Sequence, residues 1–488
     1  MEGNDMNNHH TDPSPSTAEV GYFSIEELHD RYESGVLSPP DVIATLTERI
    51  EQLNKGGAIN LLAVIEVDQE AKTRAVNSKK SDGPLWGVPV LVKDNIEVAG
   101  WASGAGSTVF SEPAATDAPL VTRLREAGAI LLGNCNMTEW ASASTGAMEE
   151  GYSARGGLTG NPWALDRSAG GSSSGSAASV AAGFAPVALG TETVGSLTQP
   201  ASHCGVFAMK ATRGLIPNDG IVPFSRSQDV PGVFARNLQD LSLMLSVMVG
   251  REITPASDVS IGFLDDDDLN DPEQTPEAMR DAYEELRDQF SQHGSSPRIP
   301  RVPHDLYGKL FQLLDAELER DLPQYLENRA GSRWSSLQDA VDEGATLEFD
   351  PSTGELLSLP LDGFERALFA DPIDIASTRK KIERQFANIL EPLFQDSDVI
   401  VAPAYSPAEK LDLKRGLRTR ARTYMSYLDG LSSVVGWPSL TVPFTQVGKL
   451  PSGLVMVARQ GGEASLLGAA AAIDSAFSAP IWELQRRG

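Results

Sequence analysis

Residues 170–200, GGSSSGSAASVAAGFAPVALGTETVGSLTQP, limit the architecture of this chain more than any other stretch. Two serine-bearing glycine loops lie in it, Gly170-Gly171-Ser172-Ser173-Ser174-Gly175 and Thr193-Val194-Gly195-Ser196, with Ser172 and Ser196 24 positions apart. Glycine permits turns that a Cβ would block, and a turned backbone can aim several N–H groups at one point. A hydroxyl beside such a loop is placed to attack a carbonyl. Taken singly, each loop reads as a flexible Gly/Ser linker. The surroundings argue otherwise: residues 176–182, SAASVAA, are helix-compatible and close at Gly183, and residues 185–189, APVAL, read as a buried strand bounded by Gly190. A tether would not be joined to core elements on both sides.

Further motifs stand in order along the chain: GVPVLVKDN at 87–95, GNCNMTEWA at 133–141, KATRGLIPNDGIVPFS at 210–225, DVPGVFARNLQD at 229–240, DVIVAPA at 398–404 and WPSLTVPF at 437–444. With them the chain resembles the amidase signature family of serine hydrolases from about residue 24 to the end, the middle third matching least. The resemblance implies an α/β fold, a large mixed twisted β-sheet core flanked by helices on both faces. It implies a single domain over 22–488, with a signature core at about 85–250 and a variable pocket wall at about 262–395. Residues 1–21 read as a disordered tail with neither the basic start nor the apolar core of a signal peptide. Ser24, followed by Glu26 and Glu27, and Ser38-Pro39-Pro40 read as the starts of two surface helices.

Lys93 ends the apolar run 90–92. In isolation a lysine there reads as a surface cap or a partner of Asp94; the family's catalytic lysine, however, follows such a run and precedes Asp-Asn. The resemblance therefore implies a Ser-cisSer-Lys triad: Lys93 takes a proton from Ser172, Ser172 takes one from Ser196, and Ser196 attacks the carbonyl. A lysine can act as base only when neutral, which burial promotes. The backbone N–H groups of Thr193, Val194, Gly195 and Ser196 are the expected oxyanion hole, with Ser173 supporting Lys93 through a hydrogen bond. Ala141, Ser142, Ala143, Gly146 and Gly171 are the expected substrate-binding residues. Where the family often carries Asp-x-Gly-Gly-Ser-Ile-Arg, this chain has Glu192-Thr193-Val194-Gly195-Ser196-Leu197-Thr198. Val194 demands room for a branched side chain, and Thr198 leaves the supporting Glu192 in need of another partner or water.

A rival reading takes Gly171-Ser172-Ser173-Ser174-Gly175 as the G-x-S-x-G nucleophile elbow, which needs a buried strand before it. Residues 161–169 read instead as a loop, and His203, His293 and His304 lack a supporting motif. Cys135 and Cys204, the two cysteines, form no metal-ligand spacing, and no metal or cofactor is expected. A net charge of -27 opposes binding to nucleic acid or an anionic membrane, and no apolar run is long enough to span one. The expected protein is cytoplasmic, with a small neutral amide-like substrate and at most a second copy of itself, a homodimer, as partner. Its expected activity is C–N bond hydrolysis through a Ser196 acyl-enzyme, with esters as side substrates. Anilides and aryl amides, or carbamates (urethanes), are favoured on the family's breadth and the uncharged Thr198. The alternatives are a non-catalytic binding relative and an ammonia-producing amidotransferase subunit.

Overall fold

The computed structural model describes residues 16–55, 59–145, 148–290, 296–300, 302–343, 345–349, 356–411 and 424–476, of which 345–349 and 356–360 are described by backbone alone. The last residues assigned to the expected tail are ordered into secondary structure. Thr17–Gly21 is helical, with the Ser16 hydroxyl accepting from the Glu19 N–H and the Glu19 carboxylate accepting from the Ser16 N–H. Residues 1–15 lie outside the described residues. Ser24 and Glu27 repeat that reciprocal cap on Ile25–Ser34, which ends at left-handed Gly35, and the next helix is Pro39–Asn54.

Ten strands make one sheet: β1 (Val64–Val67), β2 (Pro89–Lys93), β3 (Ile130–Cys135), β4 (Val187–Glu192), β5 (Phe207–Lys210), β6 (Val230–Ala235), β7 (Ile261–Phe263), β8 (Val399–Pro403), β9 (Ser439–Val447) and β10 (Leu450–Ala458). Their order is β1-β3-β2-β4-β6-β5-β9-β10-β8-β7. The pairs β2/β3, β2/β4 and β7/β8 are parallel and the rest antiparallel, so the sheet is mixed.

Both faces are covered, which is why the strands read as unbroken apolar runs. Val90 and Val92 pack with Leu120, Val121 and Leu124 of the helix Pro119–Glu126 and with Leu241, Met244 and Leu245 of Leu238–Val249. Between them Leu91 points the other way, into a cluster with Val42, Leu46 and Ile50 of Pro39–Asn54 and with Ala177, Ala178 and Ala181 of the helix Ser174–Ala181. That last helix is buried along its whole length. A Cβ on Gly175 would lie 2.3 Å from the Ala63 carbonyl oxygen, so glycine is what lets the helix touch neighbouring backbone.

Strand β4 does not stop at Gly190 as expected but runs on to Glu192. A Cβ at Gly190 would sit 2.6 Å from the Phe234 ring and 2.8 Å from Leu197; the glycine is there for packing and does not end the strand. The stretch before the first glycine loop is a small hairpin, Gly160–Asn161 with Ala164–Ser168, separate from the main sheet. An outer wall is built from the helices His304–Asn328, Asp362–Leu368 and Ile375–Leu390. Phe364 of Asp362–Leu368 and Trp334, from the loop after Asn328, pack on each other and on Trp140. Among the described residues no helix is long and apolar enough to cross a membrane.

Candidate active site

Because β2 and β4 are parallel neighbours, with Val92 opposite Leu189, their carboxyl ends bring Lys93 beside Thr191. Lys93 is fully buried. Its Nζ lies 2.8 Å from Ser172 Oγ, 2.9 Å from Thr191 Oγ1 and 3.3 Å from the Thr191 carbonyl oxygen. All three are neutral oxygens, and among the described residues Lys93 makes no ion pair. Burial lowers its pKa to about 7, while the more distant Asp229 and Glu192 charges pull it up. Asn95 also donates to Thr191 Oγ1, at 3.0 Å.

The Gly171–Ser172 peptide is cis. Ser173 N–H donates to the Ser196 carbonyl at 3.3 Å, and Gly171 N–H donates to Gln199 Oε1 at 3.2 Å, so the two glycine loops are joined through both backbone and side chain. Ser196 is half-buried, and its own N–H and those of Val194 and Gly195 donate to no described residue. Gly195 is left-handed at φ 75°, and a Cβ there would lie 2.6 Å from the Tyr405 hydroxyl. Val194 is 43% exposed, so its branched side chain is accommodated by solvent. The Thr193 N–H likewise donates to no described residue, while the Thr193 hydroxyl donates to Asp229 at 2.5 Å and its carbonyl accepts from Gln228 at 3.0 Å. Burial raises the Asp229 carboxyl to about 7, against the opposing hydrogen bonds from Thr193, Ser225 and Phe224.

Ser173 does not bond Lys93, which corrects its expected role. Its hydroxyl donates to the Thr191 carbonyl at 3.0 Å and accepts the Thr191 N–H at 3.3 Å, holding the residue that holds the lysine. Glu192 finds its partner in Lys210, at 3.0 Å, where the family pattern has arginine at the position of Thr198. Glu192 also accepts from Ser433 at 2.9 Å and from the Leu197 and Thr198 N–H groups at 2.8 and 3.2 Å. Burial alone would raise the Glu192 carboxyl; the Lys210 charge and these donors outweigh it and hold the group below its ordinary range. Asp429, 3.6 Å from Lys210, is pushed up to about 7 by burial and by the Glu192 charge.

A cavity of about 10 Å³, room for roughly one water, is bordered by Asn95, Trp140, Ala141, Thr191, Thr193 and Asp229. Trp140, Ala141 and Ser142 are all left-handed, at φ 51°, 54° and 69°, and this turn carries Ala141 to the cavity. Ser142, Ala143 and Gly171 do not border it, and Gly146 lies outside the described residues. A Cβ at Gly171 would lie 2.5 Å from Thr138 Oγ1. Sequence reasoning missed Thr191, Gln228 and Lys210; the position of Thr191 two residues before Thr193, on a strand read as ending early, was the available signal.

Known proteins agree with this architecture. A glutamyl-tRNA(Gln) amidotransferase subunit from Carboxydothermus hydrogenoformans is 28% identical over 93% of this chain and 97% of its own. A peptide amidase solved with the competitive inhibitor chymostatin superposes with a TM-score of 0.82 at 29% identity, covering 94% of this chain and 98% of that one. Native peptide amidase from Stenotrophomonas maltophilia gives 0.79 at 29% identity over 96% and 98%. Residues 41–467 match the amidase family, and the chain belongs to it.

Proposed function

We propose that the chain hydrolyses the C–N bond of a small neutral amide, with Ser196 as nucleophile, Ser172 as proton relay and Lys93 as base. The observation that carries this reading is the buried Lys93 amine, set against three neutral oxygens of which one is the Ser172 hydroxyl. In the neutral amine two N–H groups serve the two Thr191 oxygens and the lone pair faces the Ser172 O–H. As the Ser196 oxygen bonds to the carbonyl carbon, its proton passes to Ser172 and the Ser172 proton to Lys93. The electron pair displaced onto the carbonyl oxygen meets the uncommitted N–H groups of the loop Thr193, Val194, Gly195 and Ser196. Collapse breaks the C–N bond, the amine leaves with the proton returned through Ser172, and water releases the acyl group by the same route.

Likeness to peptide amidase favours a peptide-type amide over the anilides and carbamates that the same chemistry admits. The second reading, an ammonia-producing subunit, draws on the amidotransferase relative. The test is intact-mass analysis after a sulfonyl fluoride, with Ser196→Ala in parallel and a panel of N-acetyl-phenylalaninamide, glutamine, an anilide and a carbamate. One adduct on Ser196, absent from the variant and accompanied by amide turnover, is the expected result. Labelling at Ser173 would move the chain to the elbow-type hydrolases. Glutamine turnover that appears only with a co-purified partner would establish the second reading.

A further inference from the structure

Thr193 is gripped by the segment 224–229, and the grip leads back to the outer wall. Gln228 Nε2–H donates to the Thr193 carbonyl at 3.0 Å, and Arg379 Nη1–H donates to Gln228 Oε1 at 2.6 Å. The same guanidinium pairs with Glu317, through Nε to Oε1 at 3.1 Å and through Nη2 to Oε2. Glu317 also accepts the Ser225 and Ser227 hydroxyls at 2.5 and 2.6 Å. The chain from Thr193 to the wall is buried, with Gln228 1% exposed, Arg379 7% and Glu317 0%, and Ser227 at its edge is half-buried. Glu317 belongs to His304–Asn328 and Arg379 to Ile375–Leu390.

The Thr193–Val194 peptide is trans. A trans peptide is planar and its C=O and N–H point in opposite directions, so a donor fixed on the Thr193 oxygen sets the direction of the Val194 N–H. We infer that Gln228, locked by Arg379 and Glu317, is a positioning residue that aims the Val194 N–H at the substrate's carbonyl oxygen, so that the wall helices set the oxyanion geometry. This rests on the Ser196 acyl-enzyme proposed above. The residue types fit the task. Glutamine supplies one donor to Thr193 and one acceptor to Arg379, and the guanidinium fork grips a carboxylate while a further N–H reaches sideways. A network that served stability alone would not need to end on a peptide of the catalytic loop.

The experiment compares Gln228→Leu, Gln228→Glu, Arg379→Lys and Ser196→Ala by steady-state turnover of N-acetyl-phenylalaninamide, inhibition by N-acetyl-phenylalaninal and thermal melting. The aldehyde forms a serine adduct that carries the oxyanion, so it reads the N–H geometry directly. Both Gln228 variants should lose about 10²-fold in kcat, the range seen when one oxyanion donor is lost, with KM within about threefold. The aldehyde should weaken in proportion. Arg379→Lys keeps charge against Glu317 but loses the reach to Gln228, and should fall about tenfold on both readouts. Folded Gln228 variants with native kcat and aldehyde affinity, beside a dead Ser196→Ala, would overturn the inference and leave the Ser196 reading intact. A rise in KM at unchanged kcat would overturn it too. Should the Gln228 variants not fold, Arg379→Lys decides alone, native aldehyde affinity counting against it. Full turnover by Ser196→Ala would overturn the underlying reading instead.

Discussion

Lys93 and Lys210 are the last residues of β2 and β5 in one sheet, and both are buried, at 0% and 2% exposure. Around Lys93 stand three neutral oxygens, whereas Lys210 sits 3.0 Å from Glu192 and 3.6 Å from Asp429 and takes two serine hydroxyls besides. A buried amine without a counterion is pushed toward its neutral form, whereas one in contact with a carboxylate is half of a buried ion pair that is costly to break. The first can accept a proton; the second can anchor. What divides base from anchor is the charge state of the neighbours, since residue type, strand position and depth are shared.

Substitution of each lysine by methionine should separate the two roles most sharply. Lys93→Met is expected to lower kcat/KM by about 10⁴-fold, the upper range for a lost acid–base group, while thermal melting stays near native because no charge loses its partner. Lys210→Met leaves Glu192 buried and unpaired, so chemical denaturation should show a loss of about 3–5 kcal/mol. If Lys210→Met melted like the native protein, or Lys93→Met unfolded, the contrast would be broken.

The pH profile tests the same contrast with both lysines in place. With Lys93 at about 7, kcat/KM should fall about tenfold per unit below that pH and level off above it. The stability effect has a definite sign. Between about 7 and the ordinary value of 10.5 the unfolded chain binds a proton at this lysine that the folded one does not, so native stability should rise with pH across that window. In Lys93→Met the rise should be absent. Thr191→Val gives the smallest effect, about tenfold or less in kcat/KM. It removes an oxygen that favours the ammonium form, so the inflection should move to lower pH. An unmoved inflection would detach Thr191 from the lysine.

How far these features are legible in the sequence depends on whether their causes are local. The apolar run ending at Lys93, the capped helices after Ser24 and Ser38, and the glycine loops around Ser172 and Ser196 are short-range patterns, and each is found near its expected place. Thr191 escapes because a glycine reads as a stop, whereas Gly190 is set by the Phe234 ring across the sheet. The helix at Thr17 escapes because its cap is a single Ser-x-x-Glu in a polar stretch. Lys210 meets Glu192 only across the intervening strand β6, and its other partners Ser432 and Ser433 lie 222 and 223 positions downstream, so neither pairing is a local pattern. Ser173 lies one bond further from the lysine than its motif implies, a difference of connectivity within the right cluster.

The helix Ser174–Ala181 carries a last consequence. Its residues are Ser, Gly, Ala and Val, its Ser176 hydroxyl is committed to the Leu189 carbonyl at 2.8 Å, and its glycine lies against the backbone of Ala63 and Asn136. An added methylene there would have to displace main chain, which overpacked cores resist. The segment is therefore a poor place to seek new specificity by substitution, and its restricted alphabet follows from lack of room. Phe369 at 73% exposure and Phe311 at 56%, on the outer wall, are the opposite case, side chains with space to change.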